Sequence, residues 1–346
     1  MTHSTSSVRV SIADRNPETT GAEIAASLTP PRQFADASFE SYRPDPAFAS
    51  QQEAVELLSA FAGSWGVTKS SGGFFGRKKK APDVKPGVYL DGGFGVGKTH
   101  LLAALWHAAP GPRKYFGTFI EYTALVGALG YANAVESLRG STLLCIDEFE
   151  LDDPGDTMMM TRLLTELVAS GTRIAATSNT PPNALGEGRF AAADFLREIH
   201  AMAEHFTTLR IDGEDYRRRS MEGHAEALAT AEYDSRMAAA DESGKTVSDD
   251  SFDTVIGHLA GVHPSRYIKL ISGIDAIGLR DVHELVSQTE ALRLVAFIDR
   301  VYDAQIPIYA TGVPLDEVFG GDMLSGGYRK KYLRAMSRMI ALTRGS

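Results

Sequence analysis

The fold is decided by one stretch, Gly87-Val-Tyr-Leu-Asp-Gly-Gly-Phe-Gly-Val-Gly-Lys-Thr-His100. It contains the pattern G-x-x-x-x-G-K-[ST], which begins at Gly92 and ends at Thr99 and is typical of a phosphate-binding P-loop. The apolar residues before the pattern predict a short buried strand, and the run from Thr99 to Trp106 predicts a helix. These flanks argue against the simpler alternative, a glycine-rich turn with an incidental lysine.

Each residue type in this pattern suits phosphate binding. Glycines allow successive backbone N–H groups to converge on one anion, and the start of the helix adds partial positive charge. We predict that Lys98 reaches the β- and γ-phosphates and that the Thr99 hydroxyl holds Mg²⁺. The predicted nucleotide-binding residues are Gly92, Gly93, Phe94, Gly95, Val96, Gly97, Lys98, Thr99 and His100.

The composition is that of an ordinary globular protein. The chain has 346 residues, of which 43% are hydrophobic and 23% charged. This length is enough for one large domain and a smaller one, or for two modest domains. Cys145 is the only cysteine, so a disulfide framework is excluded and a reducing cytoplasm is favoured. No apolar run approaches the roughly 18 to 20 residues that cross a membrane, and the N-terminus does not resemble a signal peptide.

The net charge of −9 argues against a surface made for bulk nucleic-acid binding. A local basic run nevertheless extends from Arg77 to Lys80, just after Phe74 and Phe75. Such a short run is commonly a solvated loop. Exposed aromatics beside cations would instead favour contact with an acidic partner, a membrane surface or a nucleic acid.

Changes in composition divide the chain. Residues 1–28 are rich in Ser, Thr and Ala and predict a flexible arm. In 29–220, strands alternate with helices, which predicts an α/β fold with a parallel sheet flanked by helices. Residues 221–252 are charged and Ala-rich and predict a linker or helical insertion, before a second apolar block at 253–346. The aromatic stretch Phe34–Pro44 either lines the base pocket or packs against the sheet edge.

Polar residues end two of the predicted strands. Asp147 and Glu148 follow a buried run about 50 residues after Lys98, where a Walker B element is expected. Asp147 is predicted to hold Mg²⁺ through water, and Glu148 to polarise the attacking water. Asn179 ends the next strand and could orient the same water, as sensor 1 does in AAA+ ATPases. Helix capping is the alternative for the paired acids. The N-K-x-D signal for guanine does not occur, which favours ATP.

Hydrolysis at a P-loop commonly needs an arginine that neutralises charge in the transition state, often from a neighbouring subunit. Arg189 follows Asn179 closely in the segment Gly186–Phe190 and is the predicted finger. Arg197 is the second choice. Either assignment predicts a homo-oligomer.

These motifs resemble those of the ZapE-type cell-division ATPases and their mitochondrial relatives, within the AAA+ class. The resemblance runs from about Phe34 to the end of the chain, and its most specific part is Leu144–Met158. Further matching segments are Ala176–Asn179, Leu209–Arg217, Ala291–Asp303 and Leu333–Met339. The resemblance implies a P-loop AAA+ core followed by a smaller, mostly helical, lid-like region at 253–346. There Arg293 would be a sensor 2 that reaches the γ-phosphate, although a salt bridge on the lid is an equal alternative for Arg293, Arg334 and Arg338.

The resemblance also implies a function. A member of this family would hydrolyse ATP with Mg²⁺ and act on an FtsZ-like protein partner at the division site, with peripheral association at the inner membrane face. Two other classes stay open: a nucleic-acid-associated ATPase of the helicase-loader type, which only the basic run supports, and a nucleotide-switched scaffold. The combination of Glu148, Asn179 and Arg189 argues against the scaffold.

Overall fold

The computed structural model describes residues 8–66, 85–93, 95–149, 154–181, 203–214 and 223–344. The chain forms two compact units. The P-loop unit comprises Thr20–Pro30 and Phe34–Tyr216, and the C-terminal unit comprises Met1–Thr19, Pro31–Gln33 and Arg217–Ser346. The division after Tyr216 lies close to the predicted boundary at residue 220.

The described residues form nine strands and eleven α-helices. The strands are β1 (Val8–Val10), β2 (Gly87–Gly92), β3 (Lys114–Thr118), β4 (Leu143–Asp147), β5 (Arg173–Thr177), β6 (Phe206–Ile211), β7 (Thr246–Ser251), β8 (Ala276–Val282) and β9 (Ile308–Gly312). The helices are α1 (Gly21–Ser27), α2 (Ala49–Gly63), α3 (Lys98–Ala108), α4 (Phe119–Leu129), α5 (Tyr131–Leu138), α6 (Pro154–Ala169), α7 (Thr230–Glu242), α8 (Phe252–Gly261), α9 (Tyr267–Leu270), α10 (Gln288–Asp303) and α11 (Arg329–Thr343). None of these helices is long and apolar enough to span a bilayer.

The P-loop unit is built on a five-stranded parallel sheet in the order β3-β4-β5-β2-β6. Successive strand residues point to opposite faces. Val88 and Leu90 therefore pack with α2 and α3 on one face, while Tyr89 packs with α4, α5 and α6 on the other. Because both faces are covered, β2 and β4 are buried along their whole length. The predicted α/β fold is confirmed.

The order of the strands predicts where a ligand would bind to this sheet. β2 lies between β5 and β6, whereas the next strand along the chain, β3, lies at the far edge. In open parallel sheets, ligands bind outside the carboxyl ends of the strands at such a switch in order. The P-loop lies at the carboxyl end of β2, next to the polar carboxyl ends of β4 and β5.

The C-terminal unit contains a second parallel sheet, in the order β1-β7-β8-β9. Ile277 and Leu279 of β8 pack with α8, α10 and α11, and Ala276 packs with α7 on the opposite face. The described residues after 253 form the helices α8 to α11, but the sheet that organises them was not predicted.

Two predictions about the segments outside the apolar blocks were wrong. Residues 8–28 are not a flexible arm, because Val8–Val10 pairs with β7 and Gly21–Ser27 forms α1 behind a capping box. Residues 223–252 are not a linker. They include a helix, α7, as the alternative of a helical insertion allowed, but they also supply the inner strand β7, which was not predicted. Their polar composition was misleading: the buried Asp250 of β7 accepts a hydrogen bond from the Ile12 backbone N–H at 2.9 Å, and such pairing lets a polar strand lie inside a sheet.

Candidate nucleotide-binding site

The P-loop connects β2 to α3, and its backbone requires glycine. Gly92, Gly95 and Gly97 have φ angles of 147°, 68° and 86°, which side chains disfavour. At Gly97 there is also no room, since an added Cβ would lie 2.4 Å from the Tyr42 ring. The loop can therefore present its backbone N–H groups to an anion.

Lys98 is the first residue of α3, and its side chain folds back over the loop. Its Nζ atom donates to the carbonyl oxygens of Gly92 at 2.9 Å and Gly93 at 2.6 Å. It also donates to Asn179 Oδ1 at 3.1 Å, so the loop after β2 is joined to the end of β5. Lys98 as a residue is buried, and its ammonium group lies where a phosphate on the loop would need a positive charge.

Asp147, the last residue of β4, lies beside the start of α3. The Thr99 hydroxyl donates to its Oδ2 atom at 3.0 Å, and the Thr177 hydroxyl donates to Oδ1. Burial, followed by the neighbouring Glu148 carboxylate, raises the pKa of Asp147, whereas the hydrogen bonds from both threonines lower that pKa. A cation at this carboxylate would favour its ionised form.

The donor set fits Mg²⁺. This ion is commonly bound through one or two carboxylates together with phosphate oxygens and water, rather than by a cage of protein ligands. Asp147 and Thr99 supply one carboxylate and one hydroxyl. The described residues contain no group of three or more His, Cys, Asp or Glu side chains that could hold a metal ion.

Glu148 follows Asp147 in an unusual backbone conformation. Its φ angle is 54°, a region that residues other than glycine rarely occupy and that is often found at functional sites. Its N–H donates to Thr177 Oγ1 at 3.2 Å. The next residue, Phe149, is buried in edge-on contact with Tyr89 and Phe119. The residues on either side of Glu148 are therefore held in place, Asp147 by its hydrogen bonds and Phe149 by its ring contacts.

The chain as a whole can be assigned to a family. The model of the AFG1-like ATPase family matches residues 19–227 and 221–346. The chain belongs to the AFG1-like ATPase family. It is 28% identical to cell division protein ZapE of Escherichia coli (strain K12), over 90% of this chain and 95% of that protein. It is 23% identical to lactation elevated protein 1 homolog B of Danio rerio, over 71% of this chain and 59% of that protein. The resemblance predicted from the motifs is confirmed.

Likeness to solved structures is weaker. AMPPCP-bound DnaA from Aquifex aeolicus is 14% identical, with 89% of each chain covered and a TM-score of 0.39. The assignment to the AFG1-like ATPase family rests on the sequence.

The aromatic stretch before α2 lies on the P-loop of this AFG1-like chain. The Tyr42 hydroxyl donates to the Val96 carbonyl at 2.8 Å. The His100 Nε2 atom lies 3.0 Å from Ser41 Oγ and 3.1 Å from the Ser38 carbonyl oxygen. The His100 side chain is thus engaged by residues 38–42, and its predicted contact with nucleotide stays a prediction. The sequence predicted that this stretch lies either in a base pocket or against the sheet edge, and it did not predict the contact with the P-loop.

Some of the predicted arginines lie among the described residues and others do not. Arg189 and Arg197 lie outside the described residues, as do Phe94 and the basic run at 77–80. Arg293 lies half-buried on α10 of the C-terminal unit, and its sensor-2 role stays a prediction. Arg334 and Arg338 both donate to Asp299, so these two form the lid salt bridge that was the alternative.

Sequence reasoning missed one residue of the site, Thr177. It is buried at the end of β5 and bonds with Asp147 and Glu148. The signal was present, since Thr177 directly precedes the Ser178-Asn179 pair. Its role depends on the register between β4 and β5, in which Ile146 is paired with Ala176, and a single sequence does not give that register.

Proposed function

We propose that this chain binds ATP with Mg²⁺ and hydrolyses it. The observation that carries the proposal is the convergence of Lys98, Thr99, Asp147 and Asn179, joined by hydrogen bonds of 3.0 to 3.1 Å at the carboxyl ends of three neighbouring strands. Membership of an ATPase family supports it.

Each residue has a separate task in this proposal. Lys98 exchanges its contacts with loop carbonyls for the β- and γ-phosphates, and Thr99 and Asp147 hold Mg²⁺, which neutralises phosphate charge when bound. Glu148 accepts a hydrogen bond from the attacking water and draws off its proton. Asn179 orients that water from the end of β5.

We further propose that the site is completed between subunits of a homo-oligomer. In this arrangement Arg189 enters the site of a neighbouring copy, where its charge stabilises the transition state. Arg293 on α10 is the proposed sensor 2.

The proposed cellular role is the remodelling of a protein partner. A relative that matches over most of its own length is named a cell division protein, and the motif resemblance adds an FtsZ-like partner at a cytoplasmic division site. The net charge of −9 favours a protein partner over a nucleic acid.

The test is steady-state ATP hydrolysis as a function of protein concentration. For the wild type, turnover per subunit should rise with concentration, because the sites need a neighbour. Arg189→Ala should reduce turnover by roughly 1,000-fold or more. Arg139→Ala is the matched control, since Arg139 is 49% exposed and pairs only with Glu136 among the described acidic residues.

Three results would count against parts of this account. Normal hydrolysis by Arg189→Ala would move the finger to Arg197. Turnover that is independent of concentration would contradict sites shared between subunits. Binding of ATP without turnover at any concentration would favour the nucleotide-switched scaffold.

A further inference from the structure

Thr177 makes hydrogen bonds to three consecutive residues, the last residue of β4 and the two that follow it. Its hydroxyl donates to Asp147 and accepts from the Glu148 N–H at 3.2 Å. Its carbonyl oxygen accepts from the Phe149 N–H at 2.7 Å. A hydroxyl carries one donor and two acceptor positions, so one side chain can serve both carboxylate-bearing residues simultaneously.

The contacts with Glu148 and Phe149 determine where the Glu148 side chain points. A φ of 54° persists at a residue with a side chain only when its surroundings hold it there. Here Thr177 binds the N–H groups on both sides of the Glu148 α-carbon, and the buried Phe149 ring anchors the chain beyond it.

The contact with Asp147 determines how that carboxylate is turned. Its Oδ1 atom accepts from the Thr177 hydroxyl, and the Thr99 hydroxyl lies 3.0 Å from Oδ2 and 3.3 Å from Oδ1. Thr99 is itself a proposed Mg²⁺ ligand, so its hydroxyl would serve the ion as well as Asp147. Thr177 is 1% exposed and can keep its hydrogen bond, so it retains the orientation of Asp147.

We infer that Thr177 is a positioning residue for the proposed hydrolysis, which orients Asp147 toward Mg²⁺ and Glu148 toward the attacking water. The inference rests on the proposed function of the same site. Partners that orient metal ligands typically affect metal affinity or activity by about 10- to 100-fold. Valine has the shape of threonine without the hydroxyl, whereas serine keeps the hydroxyl.

The variants are Thr177→Val, Thr177→Ser and the control Thr172→Val. Thr172 is also 1% exposed, and its hydroxyl contacts Ser141 and Ser170 just before β5 begins, at the opposite end of that strand. Replacing it removes a buried hydroxyl of the same sheet without touching the site. Thr177→Ala is added in case valine prevents folding, and circular dichroism verifies that each variant is folded.

The first measurement is binding of a fluorescent ATP analogue during a Mg²⁺ titration, and separately in EDTA. We expect Thr177→Val to need about tenfold more Mg²⁺ for half-maximal binding, while its affinity in EDTA stays within about twofold of the wild type. Thr177→Ser and Thr172→Val should both resemble the wild type. Steady-state hydrolysis by Thr177→Val should fall about tenfold or more.

The second measurement is amide hydrogen exchange in protein without nucleotide or metal. Thr177→Val should speed exchange at Glu148, which loses its acceptor, and not at Phe149, whose acceptor is the backbone carbonyl. Thr172→Val should change neither amide.

The outcomes separate this inference from the function on which it rests. If the wild type binds the analogue in a Mg²⁺-dependent way and Thr177→Val has the same Mg²⁺ requirement, only the inference is overturned. Equal losses in EDTA and in Mg²⁺ would also overturn it, because Thr177 would then merely support the fold. A wild type without Mg²⁺-dependent binding would overturn both.

Discussion

The two units share an architecture but differ at the carboxyl ends of their strands. Each is a parallel sheet with helices on both faces. In the C-terminal unit, two carboxylates in the second half of β7 have fixed partners: Asp250 accepts from the Ile12 N–H at 2.9 Å, and Asp249 accepts from Arg280 Nε at 2.8 Å. In the P-loop unit, an ammonium, a hydroxyl and a carboxylate meet beside a glycine loop.

This difference shows that the sheet does not determine the chemistry. Carboxylates paired with guanidinium or backbone N–H groups stabilise a fold, whereas the set around Lys98 and Asp147 has the donors that phosphate requires and the oxygens that Mg²⁺ requires. Function therefore lies in the residues added at the strand ends. If this comparison is right, variants in the C-terminal unit should change stability and variants at the P-loop should change nucleotide binding.

The largest change in stability is expected for Asp299→Ala in the C-terminal unit. Asp299 pairs with Arg334 at 2.9 Å and with Arg338, and both arginines are buried. Loss of their shared carboxylate should lower the free energy of unfolding by about 3 to 5 kcal/mol. Urea denaturation followed by circular dichroism measures it, with Asp234→Ala as an exposed ion-pair control. Equal stability of the two variants would contradict a structural role for this pair.

A second substitution tests whether the N-terminal segment belongs to the C-terminal unit. Ile12 is fully buried in the core of that unit, so Ile12→Ala should cost about 2 to 4 kcal/mol in urea denaturation. Ile268→Ala, at a side chain that is 38% exposed, should cost much less. A flexible arm would make Ile12→Ala as mild as this control.

Lys98→Ala should weaken ATP binding without a comparable loss of stability. Removal of a charge that contacts phosphate should reduce affinity roughly 100-fold, or about 2.7 kcal/mol. Lys114→Ala is the control, since Lys114 Nζ donates to the Ala109 carbonyl at 2.9 Å and begins β3 at the amino end of the same sheet. Calorimetric titration with ATP measures both. Similar affinities would contradict the assignment of the P-loop.

The smallest effect concerns His283, which follows β8. The hydrogen bond to Asp253 at 2.7 Å, followed by the contact with the Glu284 carbonyl, raises the pKa of His283. Since the folded pKa exceeds the unfolded value of about 6.5, the stabilisation is complete below that pH and is lost as the pH rises through the folded pKa.

His283 is 48% exposed, so the effect on unfolding should be a few tenths of a kcal/mol at most. Urea denaturation at about pH 6 and pH 8 should show a smaller difference for His283→Gln than for the wild type. ATP affinity should have the same pH dependence in both proteins. If His283→Gln changed the pH dependence of ATP affinity, variants in the C-terminal unit would not affect stability alone, which would contradict the comparison.

The sequence predicted the P-loop unit because its signals are local. The glycine pattern and the apolar runs that end at Asp147 and Thr177 each identify one element by itself. The second sheet has weaker signals. β7 contains one apolar residue, Val247, and β1 has three residues whose partner strand lies near residue 247. Pairing between distant segments leaves no pattern within either segment.

The same limit applied inside the site. Lys98, Asp147 and Asn179 could be proposed from motifs, whereas Thr177 and the contact between Tyr42 and Val96 depend on which segments become neighbours in space.

The most direct test of the central claim compares the wild type with Glu148→Gln. Equilibrium ATP binding and single-turnover hydrolysis are measured on the same protein preparations, in Mg²⁺. Glutamine keeps the size of the side chain but cannot accept the proton, so we expect binding within about threefold and hydrolysis at least about 100-fold slower. If Glu148→Gln hydrolyses ATP at the rate of the wild type, the strand-end site described here is not where the reaction takes place.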